Sequence, residues 1–203
     1  MNTFYTLVNK YNYLRDDFVP NNLVEMTTPY SKEGIYLVEE ARDNFYKLVD
    51  KTKEEGLTIR AISAYRGYKY FACIQKSPAG KDAVRYTYQK RLYDKYVEAD
   101  GVNKADTYSA RPGFSDHQTG LAIDVDNTIS SFENFTNTKE YQWMLDNSYK
   151  YGFILRYPSG KESITTYQFE SWHYRYVGLK LAKKIKASNL TFDEYFTRYL
   201  SLS

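Results

Sequence analysis

The chain has 203 residues, the length of one domain able to bury a real core. Hydrophobic residues at 42% and charged residues at 26% describe a globular protein rather than a disordered or fibrous one. A net charge of +3, with no Lys/Arg block of five or more, argues against nucleic acid as the partner, and no apolar run approaches the ~18 residues of a membrane span.

Residues 1–30 carry turn formers (Pro20, Asn21, Asn22, Pro29) between short apolar pieces and read as an extended arm packed on the domain. The N-terminus has neither a basic nor an apolar leader segment, which suggests the cytoplasm if it is native and an extracytoplasmic site if a leader or anchor has been removed. The spacing of Ile35, Val38, Ala41, Phe45, Leu48, Val49 and Thr52 predicts a helix from about Ser31, as N-cap, to Glu55, stopped by Gly56. Leu57 to Ile62 reads as a strand that delivers Arg66 to its end. There a guanidinium can face a cleft and meet a carboxylate or a developing oxyanion, although a surface arginine fits the same pattern. Residues 68–99 are helix-like but broken at Ser77-Pro78-Ala79-Gly80, with a helix expected from about Lys81 to Ala99 and a loop over 101–114.

The run from Ser115 to Asp124 (SDHQTGLAID) holds His117, one of only two histidines. Leu121 to Asp126 reads as a strand with Asp124 and Asp126 on one face and Leu121, Ile123 and Val125 on the other. Two acids on one face of an apolar strand are costly to bury without a cation or hydrogen-bond partners. The second histidine, His173, follows Glu170 by three positions in Glu170-Ser171-Trp172-His173. Two histidines beside carboxylates are the donor types of a zinc site: His117, His173 and one of the two acids, with Glu170 left over as a general base. Spacing alone does not choose between Asp124 and Asp126.

A helix over about Thr138 to Lys150 is expected, with Asn137 as cap and Gly152 as stop. Phe153 to Tyr157 reads as a strand, Pro158-Ser159-Gly160 as a turn, and Ile164 to Phe169 and Trp172 to Val177 as further strands of an antiparallel hairpin or meander. Glu170 and His173 would point to opposite faces of a flat strand, so a shared site requires a bend or bulge between them. A helix over Leu179 to Ala187 and a last one to about Leu200, opened by a Thr191/Glu194 capping box, complete the chain. Cys73 is the only cysteine and reads as a packed thiol; most of the 23 tyrosines read as substitutes for Phe or Leu.

Four segments together resemble the zinc D-alanyl-D-alanine carboxypeptidases of the VanY and VanXY kind, the LAS-type peptidoglycan metallopeptidases: Ser63 to Arg66 (SAYR), Ser115 to Asp124, Tyr151 to Pro158 (YGFILRYP), and Glu170 to Gly178 (ESWHYRYVG). Order and spacing agree over nearly the whole chain. The resemblance implies a single-domain α+β fold over 1–203, with a central antiparallel sheet, flanking helices and a zinc site in a surface cleft. It implies one Zn2+ held by His117, Asp124 and His173, with Glu170 as catalytic base and acid and Arg66 polarising the scissile carbonyl. It assigns Ser115 and Trp172 to substrate binding. The reaction implied is hydrolysis of the terminal D-Ala-D-Ala bond of peptidoglycan stem peptides or precursors, by a monomer. The same constellation serves D,D-dipeptidases, L,D-carboxypeptidases and wall endopeptidases; a non-catalytic zinc-binding wall module would be expected to lack Glu170. One departure stands out. The family places a glutamine five positions after the arginine, in a Tyr-x-Tyr-Gln-like run, and position 71 here is Phe71. Tyr86-Thr87-Tyr88-Gln89 looks like that run displaced by an insertion over about 71–88, which makes Gln89 the substrate-binding glutamine and the insertion either a rim of the pocket or a plain excursion.

Overall fold

Four strands lie side by side in the order β3 (Arg60–Ser63), β4 (Ala122–Asp126), β6 (His173–Tyr176), β5 (Phe153–Leu155), every neighbouring pair antiparallel. The computed structural model describes residues 3–68, 88–129 and 132–201. The two faces of the sheet differ in chemistry because side chains alternate along each strand. Ala61, Ile123, Val125, Phe153, Tyr174 and Tyr176 join Phe45, Leu48 and Val49 of helix α1 (Glu39–Glu54) in the main core. A second cluster carries Ile154 and Val177 against Leu181, Ala182 and Ile185 of α6 (Leu179–Ser188) and Phe192 of α7 (Phe192–Tyr195). The fold is therefore a mixed helix and antiparallel-sheet domain, as the resemblance implied. No helix among the described residues is long and apolar enough to cross a membrane.

The register positions the chemistry. Asp124 pairs with His173 on one side and with Ser63 on the other, next to an irregularity between Ala61 and Ser63. Three polar residues thus stand in a row across three strands. Asp126 pairs with Arg60, whose Nε and Nη2 donate to its carboxylate at 2.9 and 3.3 Å. The two acids of β4 consequently have different answers: Asp126 is matched by Arg60 on the neighbouring strand, whereas Asp124 faces Arg66 at 3.4 Å and both histidines at 3.2 Å.

Several expected boundaries are corrected. Helix α1 starts at Glu39, not near Ser31: Gly34 takes φ +72°, and Tyr36–Val38 form strand β2, paired with β1 (Leu23–Glu25). Ser31 caps nothing; it bridges to Ala61. Helix α2 runs Gln89–Asp100, with Tyr88 extended before it, and the 101–114 loop contains helix α3 (Val102–Tyr108). Helix α4 (Lys139–Asn147) is capped by Thr138, whose hydroxyl accepts from the Tyr141 amide, rather than by Asn137. Ile164 to Phe169 is no strand: Ile164 and Thr165 end helix α5 (Glu162–Thr165), Thr166 takes φ +66°, and the rest is irregular. The Thr191/Glu194 capping box is present as expected. Residues 71–87 of the insertion expected over 71–88, Cys73 and residues 81–87 of the expected 81–99 helix lie outside the described residues. The residues on either side of that stretch adjoin, with the Gln89 amide donating to Gly67 O at 3.0 Å and Lys90 to Tyr68 O at 3.1 Å.

Candidate metal centre and active-site cleft

His117 sits on a single 3-10 turn, Asp116–Thr119, between Ser115 and Gly120. Gly120 closes the turn at φ +67°, and a Cβ there would meet Leu23 Cδ2 and Pro20 Cγ at 2.8 Å. A side chain is therefore excluded at the point where the turn enters β4. The His117 ring is fixed from behind: its Nδ1 lies 2.6 Å from Ala64 O, which makes Nδ1 the protonated nitrogen and turns Nε2 forward with its lone pair. Burial, reinforced by the positive charge of Arg66, lowers the His117 pKa to about 4, so the ring is neutral at pH 7.

His117, Asp124 and His173 each present one donor atom within 4.8 Å of the others, all three buried. Asp124 bridges the rings, with Oδ2 3.2 Å from His117 Nε2 and Oδ1 3.2 Å from His173 Nδ1. His117 Nε2 and Asp124 Oδ1 are buried and make no hydrogen bond. Although burial opposes it, the two imidazoles hold the Asp124 carboxyl well below the usual range. Two forward-facing imidazole nitrogens and a carboxylate oxygen, buried together and short of partners, fit a divalent ion such as zinc.

The spacing problem of Glu170 and His173 is resolved by the backbone. Glu170 lies in the loop before β6, its amide donating to Tyr157 O at 3.1 Å, and the chain turns so that the His173 amide reaches Glu170 O at 3.4 Å. Glu170 Oε2 ends 3.3 Å from His173 Nδ1, on the rim of the three-donor site. Burial raises the Glu170 pKa, partly offset by His173.

Arg66 enters from the other wall. Its Nε donates to Gln89 Oε1 at 3.0 Å and its Nη1 to Ser63 Oγ at 2.6 Å, with Asp124 Oδ2 at 3.4 Å. Gln89, buried at the first turn of α2, is in turn anchored by its amide nitrogen on Ala110 O at 2.6 Å. Ser115 and Trp172 line the same cleft, a cavity of about 280 Å³ that also holds Arg66, Gln89 and Glu170. All eight residues expected to form the site are thus brought to one place.

Three charged residues that the sequence reading left without a role stand behind it. Asp116 is buried under His173, Oδ2 lying 3.6 Å from His173 Nε2. Asp116 Oδ1 accepts from Arg175 Nη1, and Arg156 Nε lies 3.7 Å from Oδ2. Arg156 also donates to both oxygens of Asp193, and Arg175 to the carbonyls of Phe4 and Thr6. Against the contrary effect of burial, Asp116, Asp124 and Glu170 push the His173 pKa well up, while Arg175, His173 and Arg156 hold Asp116 down. All three lie inside segments already singled out for resemblance; being fully buried, they are the kind of charge that must have partners.

The VanY family pattern, D-alanyl-D-alanine carboxypeptidase, matches residues 83–179. VanXYC of Enterococcus gallinarum, a bifunctional D-Ala-D-Ala dipeptidase and D-Ala-D-Ala carboxypeptidase, is 33% identical over 202 residues, covering 96% of this chain and 94% of VanXYC. The chain belongs to the VanY family. YodJ of Bacillus subtilis (strain 168) is 40% identical over 199 residues, and the match spans 95% of this chain and 66% of YodJ. Among solved structures, that of the LdcB LD-carboxypeptidase superposes with a TM-score of 0.79 at 40% identity, covering 94% of this chain and 84% of LdcB. VanYB in complex with D-alanine-D-alanine superposes at 0.75 and 29% identity, covering 96% and 98%. A VanY mutant from a VanB-type resistance cassette, in complex with Zn(II), superposes at 0.75 and 28%, covering 96% and 99%. This VanY-family chain therefore has solved relatives of both the D,D and the L,D kind.

Proposed function

We propose that the protein is a zinc-dependent carboxypeptidase that removes the terminal D-alanine from peptidoglycan stem peptides or their D-Ala-D-Ala-containing precursors. The observation that carries the reading is one cleft holding three convergent metal donors, a carboxylate of raised pKa on their rim and an arginine opposite. Zinc, held by His117, Asp124 and His173, would supply a Lewis acid and bring the pKa of a coordinated water toward roughly 7.

The chain's own residues do the rest. Glu170 takes a proton from the attacking water and returns it to the leaving amine. Arg66, held in place by Gln89 and Ser63, offers its remaining guanidinium donors to the negative charge that builds on the scissile carbonyl oxygen. Ser115, Gln89 and Trp172 wall the cleft and position the terminal D-alanine. Asp116 keeps the His173 ring oriented.

A second reading, L,D-carboxypeptidase action on tetrapeptide stems, is favoured by the higher identity and TM-score to LdcB than to VanYB. Incubating the zinc-loaded protein with D-Ala-D-Ala, a pentapeptide stem and a tetrapeptide stem, and identifying the products, separates the two readings from each other and from a dipeptidase. Glu170→Ala should abolish release while zinc stays bound. Full activity in that variant refutes the mechanism, and stoichiometric zinc surviving both His117→Ala and His173→Ala refutes the ligand set.

A further inference from the structure

Beside the metal cleft lies a second cavity of about 210 Å³, lined by Lys10, Asp106, Ser109, Arg111, Phe114 and Tyr167. Ser109 and Tyr167 line both, so the two spaces adjoin. The carboxylate of this second cavity, Asp106, is already engaged. Arg111 donates to its two oxygens at 3.0 and 2.6 Å, and the Tyr93 hydroxyl donates at 2.8 Å. Lys10 is left over. Its ammonium lies 4.7 Å above the centre of the Tyr167 ring and has no carboxylate within ion-pair distance among the described residues. Partial burial lowers its pKa, and the field of Asp106 offsets this only in part. The Tyr167 hydroxyl is itself buried without a hydrogen-bond partner among the described residues. A half-buried cation with no carboxylate partner among the described residues, in a cavity whose charges sum to one positive, is the setting for an anion.

Distance says which part of a substrate could supply it. The His173 ring is 4.9 Å from that of Tyr157, Tyr157 is 5.2 Å from Tyr167, and Tyr167 is 4.7 Å from the Lys10 ammonium. At ~3.3–3.6 Å per extended residue, Lys10 is within reach of the fourth residue or nearer on the non-leaving side of the scissile bond.

We propose that Lys10, flanked by Arg111, is an anion subsite that takes a free carboxylate carried within about four residues before the scissile bond. This deepens the carboxypeptidase reading and rests on it for the placement of the scissile bond. A lysine that merely packs on Tyr167 would show no such selectivity.

The test uses two pentapeptide stems that differ in one group, the α-carboxyl of the γ-linked glutamate being free in one and a carboxamide in the other. Binding of both is measured to the zinc-loaded Glu170→Ala protein, alone and combined with Lys10→Met or Lys10→Arg, and their cleavage by the unsubstituted chain. The free acid should bind about tenfold more tightly. The preference should shrink with added salt, vanish in Lys10→Met and persist in Lys10→Arg. Equal binding of the two peptides to the protein with Lys10 intact overturns the subsite, as does a preference that survives Lys10→Met. The first comparison and its salt dependence need no lysine variant, so a variant that fails to fold does not shield the proposal. Cleavage without a binding preference sinks the subsite and spares the carboxypeptidase reading; a preference without cleavage does the reverse.

Discussion

Replacing Asp116 by asparagine should separate the metal site from its support. The amide has the shape of the carboxylate but no charge. Asp116 is 1% exposed and accepts from Arg175, with Arg156 Nε at 3.7 Å and His173 Nε2 at 3.6 Å from its other oxygen. Arg156 would keep Asp193; Arg175 would keep only backbone carbonyls. Removing one partner of a buried ion pair costs about 3–5 kcal/mol, because a desolvated charge is left behind. Folded domains hold about 5–15 kcal/mol in total, so the loss is severe but survivable. At about 2–4 °C per kcal/mol for a domain of this size, the melting temperature of the metal-free protein should fall by about 6–20 °C. A second effect is local. His173 loses the charged acceptor behind Nε2, and zinc affinity should drop about 10–100-fold. Calorimetric melting of the metal-free protein reads the first effect, and competition against a chromophoric chelator reads the second. A melting temperature within a degree or two of the parent, with unchanged zinc affinity, would refute the reasoning. A fall in melting temperature alone would keep the charge network and remove Asp116 from the role of orienting His173.

Gln89→Ala should cost about 1–3 kcal/mol in denaturant titration, since it strips partners from Arg66 Nε and Ala110 O, and it should lower kcat/KM by freeing Arg66 to wander; unchanged kinetics would deny Gln89 its link to catalysis. Gly120→Ala should destabilise the protein by about 1–3 kcal/mol, because the residue stands at φ +67° and a methyl there meets Leu23 and Pro20 at 2.8 Å. Zinc binding at pH 7 should release about one proton, measured by titration calorimetry in buffers of different ionisation heat. The sign follows from the two rings: His173, raised well above its ordinary pKa, is charged in the metal-free protein and must deprotonate to bind, whereas His117, at about 4, is already neutral. Proton release near zero would contradict this assignment.

What could be read from the chain beforehand depended on the kind of signal. The core face of α1 was plain, since Ala41, Phe45, Leu48, Val49 and Thr52 recur at helical spacing and are all buried. Its start was not, because Ile35 and Val38 happen to continue that spacing while Gly34 breaks the helix and Tyr36–Val38 pair with β1. Helix α3 had no apolar periodicity to show, with Ala105 its one buried residue. The Ile164 to Phe169 alternation was illusory: Ile164 is exposed and the segment turns on Thr166. At the site, His117, Asp124, His173 and Glu170, which the cleft brings together, were legible as rare residue types in short runs. The demand for a cation on β4 was only half right, since Asp126 finds Arg60. Asp116 escaped notice because its importance lies in what is packed behind it, which spacing along the chain does not reveal.

The arginines that grip Asp116 have a consequence for how the enzyme matures. Arg175 reaches Thr6 across 169 positions, Arg156 reaches Val8 across 148, and Asn9 donates to Asp193 across 184. Contacts this distant in sequence carry the largest loop-closure entropy and form late. A nascent chain still tethered before residue 193 already contains both histidines, Asp124, Glu170 and Asp116 with its two arginines, yet lacks Asp193, which holds Arg156 and Asn9. The contacts that close the back of the cleft thus join the first and last segments of the chain, and they await both.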